Sequence, residues 1–107
     1  MSDEVCEVII TAHDAEWLVE FTRRLVDDRL AASGHNFAPI RSIYRWQGQI
    51  HDKPEARVSL HTRRSLVPHI IARTNREHPY EVPCVAAMTF DGNPAYVQWV
   101  LDETIAP

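Results

Sequence analysis

Long apolar runs are missing from this chain. No segment approaches the ~18 to 20 uninterrupted apolar residues of a transmembrane helix, so no membrane association is expected. Glycine is scarce, with three in 107 residues, and none lies in a Gly-rich phosphate loop. Cysteine is limited to Cys6 and Cys84, with no CxxC pair, so both are read as reduced thiols rather than as a disulfide framework. An excess of positive charge is also absent. The net charge of -4, with acidic and basic groups interleaved, argues against capture of nucleic acid. No nucleophile, base and orienting group stand together and no carboxylate pair is evident, which argues against an enzyme.

What is present is a globular composition, 45% hydrophobic and 24% charged, without low-complexity tracts. The length suits one domain, residues 1–107, able to bury its own core. The opening "MSDEVCEVII" is acidic and lacks the basic n-region of a signal peptide, so a cytoplasmic protein is expected. Six histidines keep metal binding under consideration.

The β-branched run "VCEVIIT", Val5 to Thr11, reads as a buried first strand. Asp14 then stands at an N-cap position, and Leu18, Phe21 and Leu25 recur at helical spacing, which predicts a helix to about Leu30. "SGHN", Ser33 to Asn36, reads as a breaker. Phe37 to Trp46 reads as a second strand, with Ser42, Tyr44 and Trp46 on one face and Arg41, Ile43 and Arg45 on the other. "WQGQI" signals a hairpin. In the returning strand Ala56, Val58 and Leu60 alternate with Arg57, Ser59 and His61, while Pro54 is expected to interrupt the early ladder. Ser65 is a candidate cap for a second helix with Val67, Ile70, Ile71 and Thr74 inward, ended by Pro79. A strand over Cys84 to Phe90 follows, then a helix capped by Asn93 with Pro94 at its first position and Tyr96, Trp99 and Val100 on its apolar side.

The resulting order, βαββαβ plus a terminal helix, predicts an α+β ferredoxin-like sandwich with an antiparallel sheet. Topology does not specify function. Two roles found on this fold are disfavoured by particular residues: "ARVSLHT" lacks the paired aromatics of an RNA-recognition strand, and "TAHDAEW" lacks the cysteines of a copper chaperone.

"TAHD", "RLAAS", "RSIYRWQGQI", "HPYEVP" and "GNPAYVQW" occur in the order and spacing of the CutA, or divalent-cation-tolerance, family, which the whole chain resembles. The resemblance implies a compact homotrimer similar to the PII signalling proteins, with the second and third strands pairing with neighbouring subunits. It also implies a link to metal-ion tolerance and, in some members, copper binding. Independently, Tyr44 and Trp46 on a long edge strand gain from burial at an interface; packing within their own subunit, or staying half exposed, is the alternative. The chain departs from the family pattern at three positions. Ser33 stands where cysteine is common, Ile10 stands where some metal-binding members have cysteine, and Cys84 stands where glutamate usually follows "HPYEVP".

The stretch His78 to Cys84 is therefore either a chemical site or a stiff connector. As a site, an extended backbone would place His78, Tyr80 and Val82 on one side and Glu81 on the other. His78, Glu81 and Cys84 form a candidate metal set, and the thiol shifts preference toward Cu or Zn, the only cofactors expected. As a connector, His78 caps the end of the second helix and Cys84 is a small buried hydrophobe. A ligand-binding cleft at subunit boundaries is expected from Tyr44, Arg45, Trp46, His78, Tyr80 and Glu81. His13, near the end of the first strand, and His61, where the family often has lysine, are further candidates; His35, His51 and His69 read as surface residues. Three functions compete: a trimeric metal- or ligand-responsive signalling module, a rigid trimeric scaffold for an unidentified protein partner, and an enzyme assembled across subunits.

Overall fold

The computed structural model describes residues 3–107. Strand β1 (Val5–Ala12) forms where anticipated; its burial alternates, and its even-numbered residues Cys6, Val8, Ile10 and Ala12 are completely buried against the helices. Asp14 caps helix α1 (Ala15–Asp27), its Oδ1 accepting from the N–H groups of Glu16 and Trp17 at 2.9 and 3.2 Å. Leu18, Phe21 and Leu25 form the buried stripe of α1, each such side chain contributing about 1.5–3 kcal/mol relative to exposure. The helix stops before Leu30 because Arg29 takes a left-handed φ of 61°, which turns Leu30 back so that its N–H donates to the Leu25 carbonyl at 2.9 Å.

Strand β2 (Ser33–Trp46) begins four residues earlier than its sequence suggests. Ser33 to Asn36, anticipated as a breaker, pair with His61 to Val58, because an adjoining strand outweighs the weak intrinsic preference of these residues. Gly34 serves packing here: a Cβ at this position would meet Thr22 Cγ2 of α1 at 2.4 Å. The β2 ladder then shifts register between Phe37 and Ile40, which pair with Arg57 and Glu55. One residue separates the partners on β3 and two separate them on β2, so side-chain parity inverts beyond the bulge. Ser42, Tyr44 and Trp46 consequently share a face with Glu55.

Gln47 and Gly48, with φ of 50° and 79°, make the two-residue hairpin turn into β3 (Gln49–Arg63). The ladder survives Pro54, contrary to expectation. Strand β1 covers only residues 56–63 of β3, so on its other side Pro54 has no partner strand awaiting an N–H. Residues 40–46 and 49–55 thus form a two-stranded ribbon running past the end of β1, and the molecule extends to 45 Å in its longest dimension.

A single 3₁₀ turn (Arg64–Leu66) leads into α2 (Val67–Glu77). Ser65 does not cap this helix; its hydroxyl donates to the Asp3 carboxylate instead. Ile70 and Thr74 are buried as anticipated, whereas Ile71 is exposed. Glu77 accepts from Arg24 of α1 and from Arg73, which also meets Asp28 at 2.8 Å, joining the two helices. Pro79 forces His78 into an extended conformation and ends α2.

Strand β4 (Val85–Thr89) pairs antiparallel with β1, completing the sheet order β2-β3-β1-β4. Helices α1 and α2 cover one face, giving the ferredoxin-like α+β arrangement. The terminal helix α3 (Pro94–Glu103) packs on the other face, where Val100 is buried with Val5 and Ala32. Arg29 and Arg63 donate to carbonyls at the C-terminal end of α3, where the helix dipole favours cations. Among the described residues no helix is long and apolar enough to cross a membrane.

Candidate functional site

A cleft of about 560 Å³ opens where the β2–β3 ribbon passes the C-terminal end of β1 and faces the connector from α2 to β4. Its ribbon wall carries Ser42, Tyr44, Trp46 and Glu55, and its connector wall Tyr80, Glu81, Val82 and Cys84, with Thr11 between them. No lysine, arginine or histidine lines it. Its two charged groups are carboxylates.

His78 stands behind this cleft and orders it. The ring is buried, with 7% exposure, and lies against Trp17 and Tyr80 at centroid separations of 4.9 and 4.6 Å. Its Nδ1 accepts from the Tyr80 backbone N–H at 3.0 Å, which leaves the proton on Nε2 to donate to the Thr11 carbonyl at 2.8 Å. Both ring nitrogens are thereby occupied in fastening the connector to the end of β1. Tyr80 is held pointing at the ribbon, and its hydroxyl donates to Glu55 Oε2.

Glu55 is 7% exposed and has no ion-pair partner among the described residues. Burial, then the hydrogen bond and negative charge of Glu55, with a further contribution from Tyr44, push the Tyr80 phenol well above its usual ionisation range. The phenol is consequently a donor throughout the neutral range.

Of the residues anticipated for the cleft, Tyr44, Trp46, Tyr80 and Glu81 come together on its walls. Arg45 does not, because its neighbours in the ribbon alternate away from it, and His78 acts from behind. The metal set is likewise corrected: His78, Glu81 and Cys84 do not converge, and among the described residues no three His, Cys, Asp or Glu side chains gather to hold an ion. The reason is the bent course of the connector, which turns Glu81, Val82 and Cys84 toward the cleft while His78 points inward. Cys84 is exposed rather than buried, and β4 begins one residue beyond it.

Thr11, Ser42, Glu55 and Val82 were missed by sequence reasoning. Glu55 carried no signal, since it continues the polar alternation of Arg57, Ser59 and His61. His61 lies outside the cleft, under α3, bonded to Glu7 at 2.9 Å and Tyr96 at 2.5 Å. His51 stacks on Tyr44 at 5.1 Å and is half-buried rather than free on the surface. His13, His35 and His69 are exposed.

Comparison with known proteins gives a consistent result. A family model described as CutA1 divalent ion tolerance protein matches residues 6–103. Protein CutA of Mus musculus is 36% identical over 97 residues, covering 90% of this chain and 55% of the mouse protein, so the chain spans about half the length of that relative. The divalent-cation tolerance protein CutA of Thermus thermophilus is 33% identical over 98 residues, covering 91% of this chain and 95% of that protein. Among solved structures, the periplasmic divalent cation tolerance protein CutA from Archaeoglobus fulgidus superimposes with a TM-score of 0.88 at 26% identity, over 92% of this chain and 97% of that one.

Proposed function

The chain belongs to the CutA1 divalent ion tolerance family, and on that premise we propose that it is a non-enzymatic homotrimeric binding module, responding to a metal ion such as copper or to a small ligand at the cleft beside Glu55. The observation that carries this reading is a buried carboxylate, tied to one phenol, at the wall of a cleft built by a ribbon that leaves its own sheet. The trimer is supported by the same ribbon. Ile43 and Ile50, at 65% and 68% exposure, stand on it with Trp46, and a long two-stranded ribbon with open edges and apolar side chains is stabilised by packing against copies.

In a signalling role, ligand occupancy of the cleft would change what the trimer presents to a protein partner. His78, which stands behind the cleft, has both ring nitrogens bonded to the backbone. Cys84 supplies a soft donor and Glu55 and Glu81 harder ones. Since no three such groups converge among the described residues of one chain, a tightly held copper or zinc ion here takes a donor from a neighbouring copy.

Light scattering coupled to gel filtration tests the assembly, and a concentration-independent monomer refutes it. Calorimetric titration with Cu(II), Cu(I) and Zn(II) tests the metal reading. Stoichiometric binding that is lost in Cys84→Ala is expected, and binding indifferent to that change removes the metal from this cleft.

A further inference from the structure

We infer that the cleft takes a small organic ammonium cation, with Glu55 as its counter-charge and the rings of Trp46, Tyr44 and Tyr80 as its walls. The inference rests on the reading of this cleft as a ligand site and names the ligand's chemical class.

The sign of the ligand follows from the lining. Glu55 and Glu81 are the charged groups on the walls, with no basic side chain to receive an anion. Glu55 is already withdrawn from water, accepts from a neutral phenol and stands in no ion pair among the described residues, an arrangement in which a buried carboxylate gains from a cation placed beside it. The Tyr80 hydroxyl occupies one carboxylate oxygen, and its raised ionisation range keeps it from adding a second negative charge.

The chemistry of the ligand follows from the other walls. A tightly held metal ion favours several histidine, cysteine or carboxylate donors at short range, and among the described residues no three such side chains gather. An alkylammonium requires π-faces and one counter-charge. Three of the nine lining residues are aromatic, including a tryptophan, whose face attracts cations most strongly, and Thr11 and Val82 add apolar surface. His51 stacks on Tyr44 at 5.1 Å and holds that ring in the ribbon. A cavity of about 560 Å³ accommodates a head group of this size together with a short substituent.

The test is an NMR titration of the full-length chain with tetramethylammonium chloride at constant ionic strength, reading the indole N–H of Trp46, identified by its loss in Trp46→Leu. Saturable binding with a Kd on the order of 1 mM is expected for so small a probe. Glu55→Gln is expected to weaken it at least tenfold and Trp46→Leu, followed on the ligand signal, severalfold, while tert-butanol, the neutral analogue of similar shape, does not saturate. Absence of saturable binding, equal binding of tert-butanol, or equal affinity in Glu55→Gln overturns the inference. If Glu55→Gln does not fold, the Trp46→Leu comparison decides, and unchanged affinity there overturns it. Parallel titration with Cu(II) separates the two readings. Copper binding that depends on Cys84, without ammonium binding, refutes this inference and leaves the cleft as a ligand site; binding of neither refutes both.

Discussion

Replacing Gly34 with alanine probes the closest approach of helix α1 to the sheet. The added Cβ would lie 2.4 Å from Thr22 Cγ2, with Leu60 Cδ2 at 3.1 Å and Val58 Cγ2 at 3.3 Å on either side. Thr22 has little freedom to yield. It is buried and β-branched, and its hydroxyl donates to the Leu18 carbonyl at 2.7 Å, so turning the methyl away breaks a buried hydrogen bond. Overpacking of this kind costs about 1–3 kcal/mol. Alanine restricts the unfolded chain and returns about 0.4–1 kcal/mol, which is the smaller effect. A net loss of about 1.5 kcal/mol is expected, lowering the melting temperature by about 9 °C in a chain of this size. Thr22→Ser removes the opposing methyl and keeps the hydroxyl, so in that background Gly34→Ala is expected to cost less than about 0.5 kcal/mol, a coupling above about 1 kcal/mol. Denaturant melts of the four proteins at one fixed protein concentration measure this cycle. Equal losses in both backgrounds, or no loss in Gly34→Ala, would refute the reasoning.

Tyr80→Phe deprives Glu55 of its donor and is expected to cost about 1–3 kcal/mol at neutral pH. Because the folded-state ionisation of Tyr80 lies above its ordinary value of 10.0, its contribution is complete below pH 10 and is lost as pH rises through the folded value; parallel alkaline stability curves for wild type and variant would contradict this. At Glu77 burial opposes ionisation, but hydrogen bonds and charge from Arg73 and Arg24 outweigh it and hold the carboxyl below its ordinary value. Its contribution is therefore present above pH 4.5 and lost as pH falls through the folded value, and Glu77→Gln should cost about 1 kcal/mol at pH 7 while flattening the acid limb of the stability curve. Burial raises the Cys6 thiol and encloses it completely, whereas Cys84 is exposed. Ellman's reagent should therefore label one thiol per native chain, none in Cys84→Ser, and two in denaturant; rapid labelling of both native thiols would count against the packing of β1.

Short-range signals were readable in this sequence wherever local chemistry decides the outcome. Asp14, Gln47-Gly48, Pro79 and Pro94 place their helix ends and turns by donor capacity and allowed backbone angles, and these properties travel with the residue. Strand β1 was readable from its β-branched run and the α1 stripe from its period. The family words, too, are a property of the linear chain. Ser33 to Asn36 were misread because their conformation is imposed by β3 and by the closeness of Thr22, neither of which is local. Ser65 was misread because Asp3, far away in the chain, claims its hydroxyl.

The candidate site divides in the same way. Tyr44, Trp46, Tyr80 and Glu81 could be named from residue type and neighbourhood, but their convergence depends on the β2 bulge opposite Ala56, which inverts side-chain parity. That inversion is what sets Trp46 and Glu55 on one face. The tertiary structure alone decided that His78 secures the connector, since its two partners, the Tyr80 N–H and the Thr11 carbonyl, include one 67 residues away. It alone made Glu55, indistinguishable in sequence from the polar alternation around it, a buried carboxylate facing Tyr80. Sequence determined the elements and the family, because those follow from properties each residue carries along the chain; burial and hydrogen-bond partnership arise only when distant segments meet.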